Sequence, residues 1–186
     1  MSNGEQVRLK HRWIPLDSIS PNLALAVIAG EDQNFNKHNG FDFAQINKAI
    51  VEKGKKKRLR GASTISQQTA KNVFLWPSRN WVRKGLEVYF TVLIEVLWSK
   101  ERIMEVYLNT IEMGDGVYGA EAVAREHFNK SAMKLTRNQC AMIAVSLPNP
   151  IIYDSSKPTQ YMYKRQTWIL KQMKNLGSWK PSKVDD

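Results

Sequence analysis

The chain carries two adjacent carboxylates, Glu31 and Asp32, at the end of the apolar run LALAVIAG. A glutamate at the C-terminal end of a helix meets the negative end of its dipole, and partial burial adds a desolvation cost. Both disfavour the charged form and suit Glu31 to general acid–base work. Asp32 is expected to turn away and bond backbone groups, His38 to pack the following turn, and Asp42 to cap a helix. A second cluster is RGASTISQQTAKN. Ser63 and Thr64 stand where a helix begins, and a helix N-terminus offers free N–H groups to an anion. Gln67 and Lys71 are four residues apart and project from one face. A third cluster is RKGLE, in which Arg83 and Glu87 are one helical turn apart, with Lys84 beside them. Glu87 enters an apolar helix, so its carboxylate is expected to be partly buried beside two cations, an electrostatic site rather than a surface pair. Separated carboxylates suggest glycosyl chemistry, and a basic cradle suggests a phosphorylated leaving group. The cradle is no nucleotide-type phosphate loop, because the GxxxxGK[ST] spacing is absent.

Helices must position these groups. Ser20 and Pro21 read as an N-cap and first-turn proline ahead of NLALAVIAG. Asp42 with Gln45, Thr64 with Gln67 and Thr136 with Gln139 have capping-box spacing. Ser99 can cap KERIMEVYLNTIEM, and a last helix runs through TQYMYKRQTWILKQMKN to Gly177. The segment NWVRKGLEVYFTVLIEVLWS is apolar nearly all round and reads as a buried central helix. No strand pairs are evident, so the fold class is mainly α. The tail, residues 178–186, is expected to fray.

At 186 residues the chain suits a single domain, 1–186, and its 42% hydrophobic content supports a core. A net charge of +11 attracts polyanions, whether nucleic acid, anionic lipid or phosphate-bearing substrate. The run KGKKKRLRG holds six basic residues and no acid. It suits a solvated loop, or an anion-binding strap ahead of a helix N-terminus, about equally. Cys140, the single cysteine, excludes an intrachain disulfide and a cysteine-based zinc cluster, and its apolar surroundings suggest a buried, inert thiol. His11, His38 and His127 show no metal-ligand spacing. No apolar run approaches the roughly 20 residues of a membrane-spanning helix, and no signal peptide opens the chain.

In this order, EDQNFNKHNGFD, GASTISQQTAKN, RKGLE, ERIMEVYLNTIEMGDGVYGAEAVAREHF and KLTRNQCAMIAVSLPNP resemble the five successive motifs of the peptidoglycan glycosyltransferases, in particular the monofunctional biosynthetic type. The resemblance implies a lysozyme-like α fold with a larger head lobe and a small membrane-contacting jaw. It implies polymerisation of lipid II into β-1,4-linked glycan strands, with undecaprenyl pyrophosphate leaving and the anomeric centre inverted. Glu31 would then deprotonate the acceptor 4-hydroxyl, and Glu87 would assist at the donor pyrophosphate, directly or through a divalent cation such as Mg. Arg60, Ser63, Thr64, Gln67, Gln68, Lys71, Arg83, Lys84 and Asn109 would bind or shape the substrate site. Asn109, Gly114, Tyr118, Gly119 and Glu121 match the fourth motif, whose role is partly architectural. No organic cofactor is implied. Two positions depart from the family pattern: Ala62 replaces a common glycine, and Gln139 stands for a usual glutamate.

The implied partners are lipid II, the growing lipid-linked glycan, the membrane surface and other cell-wall synthesis proteins, with no nucleic acid. The implied location is the outer, periplasmic face of the bacterial cytoplasmic membrane. The family's N-terminal anchor is not evident, so a truncated soluble piece is expected. Phe41, Phe43 and Ile50 are candidates for contact with lipid. Two rival readings remain: a lysozyme-like peptidoglycan-cleaving enzyme, which needs no pyrophosphate cradle, and a basic nucleic-acid-binding helical module, which leaves Glu31 and Glu87 idle.

Overall fold

A computed structural model describes residues 9–53, 63–77 and 80–179. Eight α-helices are described: α1 (Pro21–Glu31), α2 (Phe43–Lys53), α3 (Ile65–Phe74), α4 (Trp81–Leu97), α5 (Lys100–Thr110), α6 (Ala120–Phe128), α7 (Arg137–Ser146) and α8 (Gln160–Leu176). Their starts follow the expected chemistry. Thr64 and Thr136 each accept the backbone N–H of the glutamine three residues on, which bonds back to the cap. Asp42 Oδ1 accepts from Gln45 N at 2.9 Å, and Ser99 Oγ from Arg102 N at 3.3 Å. Gly177, with φ of 78°, ends α8. Ser20 is the exception. Pro21 does open α1, but Ser20 makes no side-chain cap; its hydroxyl donates instead to Leu135 O at 3.3 Å.

The helix buried all round is α1, where Leu23 to Ala29 are all within the core. It packs against α7 and α8, while α3 packs against α4 and α5. This corrects the reading of α4 as the central helix. In α4 only Glu87, Thr91 and Ile94 are buried. Trp81, Val82, Val88, Tyr89, Val92 and Val96 are 42–91% exposed. At 100° per residue these six fall on one stripe about 120° wide, opposite the face that carries Glu87. The apolar residues are there, but they look outward.

A small sheet also escaped the sequence pattern. β1 (Lys10–His11) runs parallel to β3 (Val117–Tyr118), which pairs antiparallel with β2 (Glu112–Gly114) through an irregular register. Strands of two and three residues are too short to show alternation. Of the tail, Trp179 packs against the core and its indole N–H donates to Asn36 Oδ1 at 3.2 Å; residues 180–186 lie outside the described residues. Cys140 is fully buried, and desolvation pushes its thiol up to about 12. Among the described residues no helix is long and apolar enough to cross a membrane.

Candidate active site

Glu31 is the last residue of α1 and half-buried. Its Oε2 accepts from Gln68 Nε2, on α3, at 3.0 Å. Gln68 Oε1 in turn lies 3.4 Å from the hydroxyl of Tyr107, on α5. Three helices therefore converge on one carboxylate. Asp32 turns the other way, as expected. It is 2% exposed, accepts the N–H of Ile65 at the start of α3 at 3.1 Å, and meets His38 Nε2 at 3.0 Å. This ties the end of α1 to the beginning of α3 and gives His38 a structural place. Asp42 also accepts from Asn34 Nδ2 at 2.8 Å, and these hydrogen bonds outweigh desolvation to hold its pKa below the ordinary carboxylate value.

Beside Glu31 opens a cavity of about 200 Å³ lined by Ser63, Gln67, Gln68, Lys71, Arg83, Lys84 and Glu87. It brings together the second and third sequence clusters. Glu87 is 4% exposed; Lys84 Nζ lies 2.5 Å from its Oε1 and Arg83 Nη1 lies 3.8 Å from its Oε2. Arg83 Nε is buried with no hydrogen-bond partner. A buried, unpartnered guanidinium donor is costly unless something else occupies it, and phosphate oxygens suit it well. Lys71 and Arg83 are shared with a second cavity of about 620 Å³, which Asn72, Leu75, Trp76, Pro77, Thr110, Glu112 and Tyr118 complete. Burial, then the Glu112 carboxylate, raises the Tyr118 phenol above its ordinary value, so it lines that cavity as a neutral hydroxyl.

The model of the transglycosylase family matches residues 2–174. The chain belongs to the transglycosylase family. It is 60% identical to a biosynthetic peptidoglycan transglycosylase of Bacteroides thetaiotaomicron, over 97% of this chain and 73% of that protein. It is 55% identical to one of Haemophilus influenzae, over 92% and 70%, and 52% identical to one of Shewanella oneidensis, over 96% and 76%. The mainly helical architecture is that of a lysozyme-like transglycosylase domain.

Within this transglycosylase the sequence-derived site residues divide. Ser63, Gln67, Gln68, Lys71, Arg83, Lys84 and Glu87 share the smaller cavity, and Glu31 borders it through Gln68. Thr64 lies beneath it, 3% exposed, its hydroxyl donating to Gly40 O at 2.6 Å. Arg60 and Ala62 lie outside the described residues, as does most of the basic run. Asn109 lines neither cavity. It is fully buried, accepts from Ile14 N at 3.0 Å and donates to Ile14 O at 2.9 Å, so its amide is spent on pinning the N-terminal segment. Other fourth-motif residues are architectural too. Gly119 has φ of 84°, and a Cβ there would meet Asn109 O at 2.7 Å. Glu121 accepts from Ala132 N at 2.8 Å and from Arg125 Nε at 2.8 Å. Gln139 completes the α7 capping box, which a glutamate would serve equally.

Tyr107 is the site residue that sequence reasoning missed. It reads only as part of an apolar helix face, and its partner Gln68 is 39 residues away. Trp76 and Pro77 were likewise unmarked; they follow the end of α3 and carry no motif. Of the lipid-contact candidates, Phe43 is 71% exposed with its ring 6.2 Å from that of Phe41, while the Ile50 side chain lies outside the description.

Proposed function

We propose that this chain polymerises lipid II into β-1,4-linked glycan at the outer face of the cytoplasmic membrane, releasing undecaprenyl pyrophosphate with inversion. One observation carries the reading: a cavity with two cations around a buried glutamate and an unpartnered Arg83 donor, joined by Gln68 to a carboxylate at a helix end. In this reading Glu31 takes the proton from the acceptor 4-hydroxyl as its oxygen attacks the donor's anomeric carbon. The bond from that carbon to pyrophosphate breaks, and negative charge grows on the leaving oxygen. Lys71, Arg83 and Lys84 stand ready for that charge, and fixed cations in a partly dry site need no reorganisation to stabilise it. Glu87 holds Arg83 and Lys84 in place. The relatives' name, biosynthetic peptidoglycan transglycosylase, supports building glycan rather than cleaving it.

A resident divalent cation does not fit the donor set at Glu87. The carboxylate faces an ammonium and a guanidinium, and among the described residues no cluster of three or more His, Cys, Asp or Glu could hold a metal. The two side chains supply the charge such an ion would bring, and no step here passes through one. The exposed apolar stripe of α4 is the surface proposed to rest on the membrane, where a lipid-linked substrate is found.

The test is polymerisation of labelled lipid II in detergent, with Glu31→Gln as control and purified cell-wall glycan as a parallel substrate. Polymer from the wild type, none from Glu31→Gln, and no digestion of glycan are expected. Near wild-type turnover by Glu31→Gln would remove Glu31 from the mechanism, and digestion without polymerisation would make the protein a cleaving enzyme.

A further inference from the structure

We infer that Tyr107 is a positioning residue for glycosyl transfer, orienting the Gln68 amide so that its NH₂ group faces Glu31. The inference rests on the reading of Glu31 as the base. An amide side chain has two different ends, and an ionised carboxylate can only accept hydrogen bonds. Gln68 must therefore turn Nε2 to Glu31, as it does at 3.0 Å. Its Oε1 then points away and needs a donor. The Tyr107 hydroxyl is that donor, at 3.4 Å.

Three features make the phenol suited to this. Tyr107 is fully buried, so water does not compete for its hydroxyl. It sits on α5, which packs directly against α3, so the hydroxyl is held by the core rather than by a loop. Burial first, and then the Glu31 and Asp32 carboxylates, push its ionisation well above the ordinary tyrosine value, so it remains a donor at every working pH. The reversed amide would set Oε1 against the carboxylate and leave the NH₂ group facing the phenol. Without the hydroxyl the orientation rests on the Glu31 carboxylate alone, and the reversed amide, which repels the base, no longer forfeits a hydrogen bond at Oε1. Phenylalanine would fill the same space and leave Oε1 without its donor, so the amide is held at one end only.

The test measures steady-state polymerisation of dansyl-labelled lipid II by wild type, Tyr107→Phe, Gln68→Met and the double variant, with thermal unfolding of each. Loss of one neutral hydrogen bond predicts that Tyr107→Phe lowers kcat about five- to tenfold, with KM changed less than about twofold. In the Gln68→Met background the same substitution should lower kcat by less than about twofold, because the group it acts through is gone. A wild-type kcat for Tyr107→Phe would overturn the inference, as would losses that multiply independently in the double variant. A Phe variant that fails to fold would overturn it too, by making the hydroxyl a structural group. Glu31→Gln, run alongside, separates the two layers. If it retains turnover, the base assignment falls and takes Tyr107 with it. If it is inactive while Tyr107→Phe is unaffected, only the positioning role falls.

Discussion

Replacing Val88, Val92 and Val96 together with serine should detach the protein from lipid without unfolding it. The three side chains are 42%, 47% and 75% exposed and lie on the outward stripe of α4. Full burial of a valine is worth about 1.5–2 kcal/mol at the low end of the aliphatic range, and the trio exposes about one and a half valines' worth of surface. Transfer of that surface into a bilayer interface therefore contributes about 2–3 kcal/mol, or a factor of about 30–150 in partitioning. Co-sedimentation with neutral phosphatidylcholine vesicles isolates this term from the attraction between a +11 chain and anionic lipid. Binding should fall by about that factor, while the melting temperature changes much less than for core valines, since Val88 and Val92 are only about half buried and Val96 is mostly exposed. Unchanged vesicle binding would refute the assignment of the stripe. So would a large loss of stability, because it would mean that the stripe packs against protein.

Arg83→Ala should weaken use of the pyrophosphate donor about tenfold or more, the scale of one charge-assisted hydrogen bond, yet spare an acceptor analogue that lacks phosphate; equal losses for both would make Arg83 a fold residue. Asp32→Ala leaves the Ile65 N–H and His38 without their partner and should cost about 3 kcal/mol, or about 6–12 °C in Tm for a chain of this size, with a shift under about 2 °C contradicting the bridge between α1 and α3. His127 bonds Ser155 Oγ at 2.7 Å, and desolvation lowers its pKa despite the nearby Asp154 and Glu126 carboxylates, with Lys10 adding to the lowering. The folded protein thus prefers the neutral ring, and its contribution is present above the unfolded value of about 6.5 and is lost as pH falls through it. Urea unfolding should show the wild type losing stability relative to His127→Gln between about pH 7 and 5, and parallel curves would contradict that sign.

Local chemistry was legible and long-range partnership was not. Thr64–Gln67 and Thr136–Gln139 declared their helix starts because a capping box is complete within four residues. Arg83 and Glu87, or Gln67 and Lys71, share faces for the same reason. The partner of Asn109, Ile14, is 95 residues away, and no spacing rule reaches that far. The link from Glu31 to Gln68 spans 37 residues and is equally silent in the sequence. The error over α4 has another source. An apolar residue reports only that it avoids water, and a helix apolar on most faces satisfies that against protein or against lipid. Period and composition carry no sign that distinguishes the two.

That ambiguity becomes informative once the helix is placed. α4 turns Arg83 and Glu87 toward the cavity and Val88, Val92 and Val96 away from the core. With the outer stripe resting on a bilayer, the cavity wall lies about one helix diameter, ~10 Å, from the lipid surface. A lipid-linked pyrophosphate joins its lipid directly at the headgroup level, so its phosphates need not leave the interface by more than a helix's width to reach Arg83. The same geometry accounts for the near absence of acid on the outer stripe and the cluster of cations on the inner face. One helix would then set both the depth of the membrane contact and the position of the leaving group. Moving Arg83 one residue back, to the place of the exposed Val82, would turn it by about 100° onto the outer stripe. The i, i+4 spacing of Arg83 and Glu87 therefore holds the cation and its carboxylate partner on the single face that looks away from lipid.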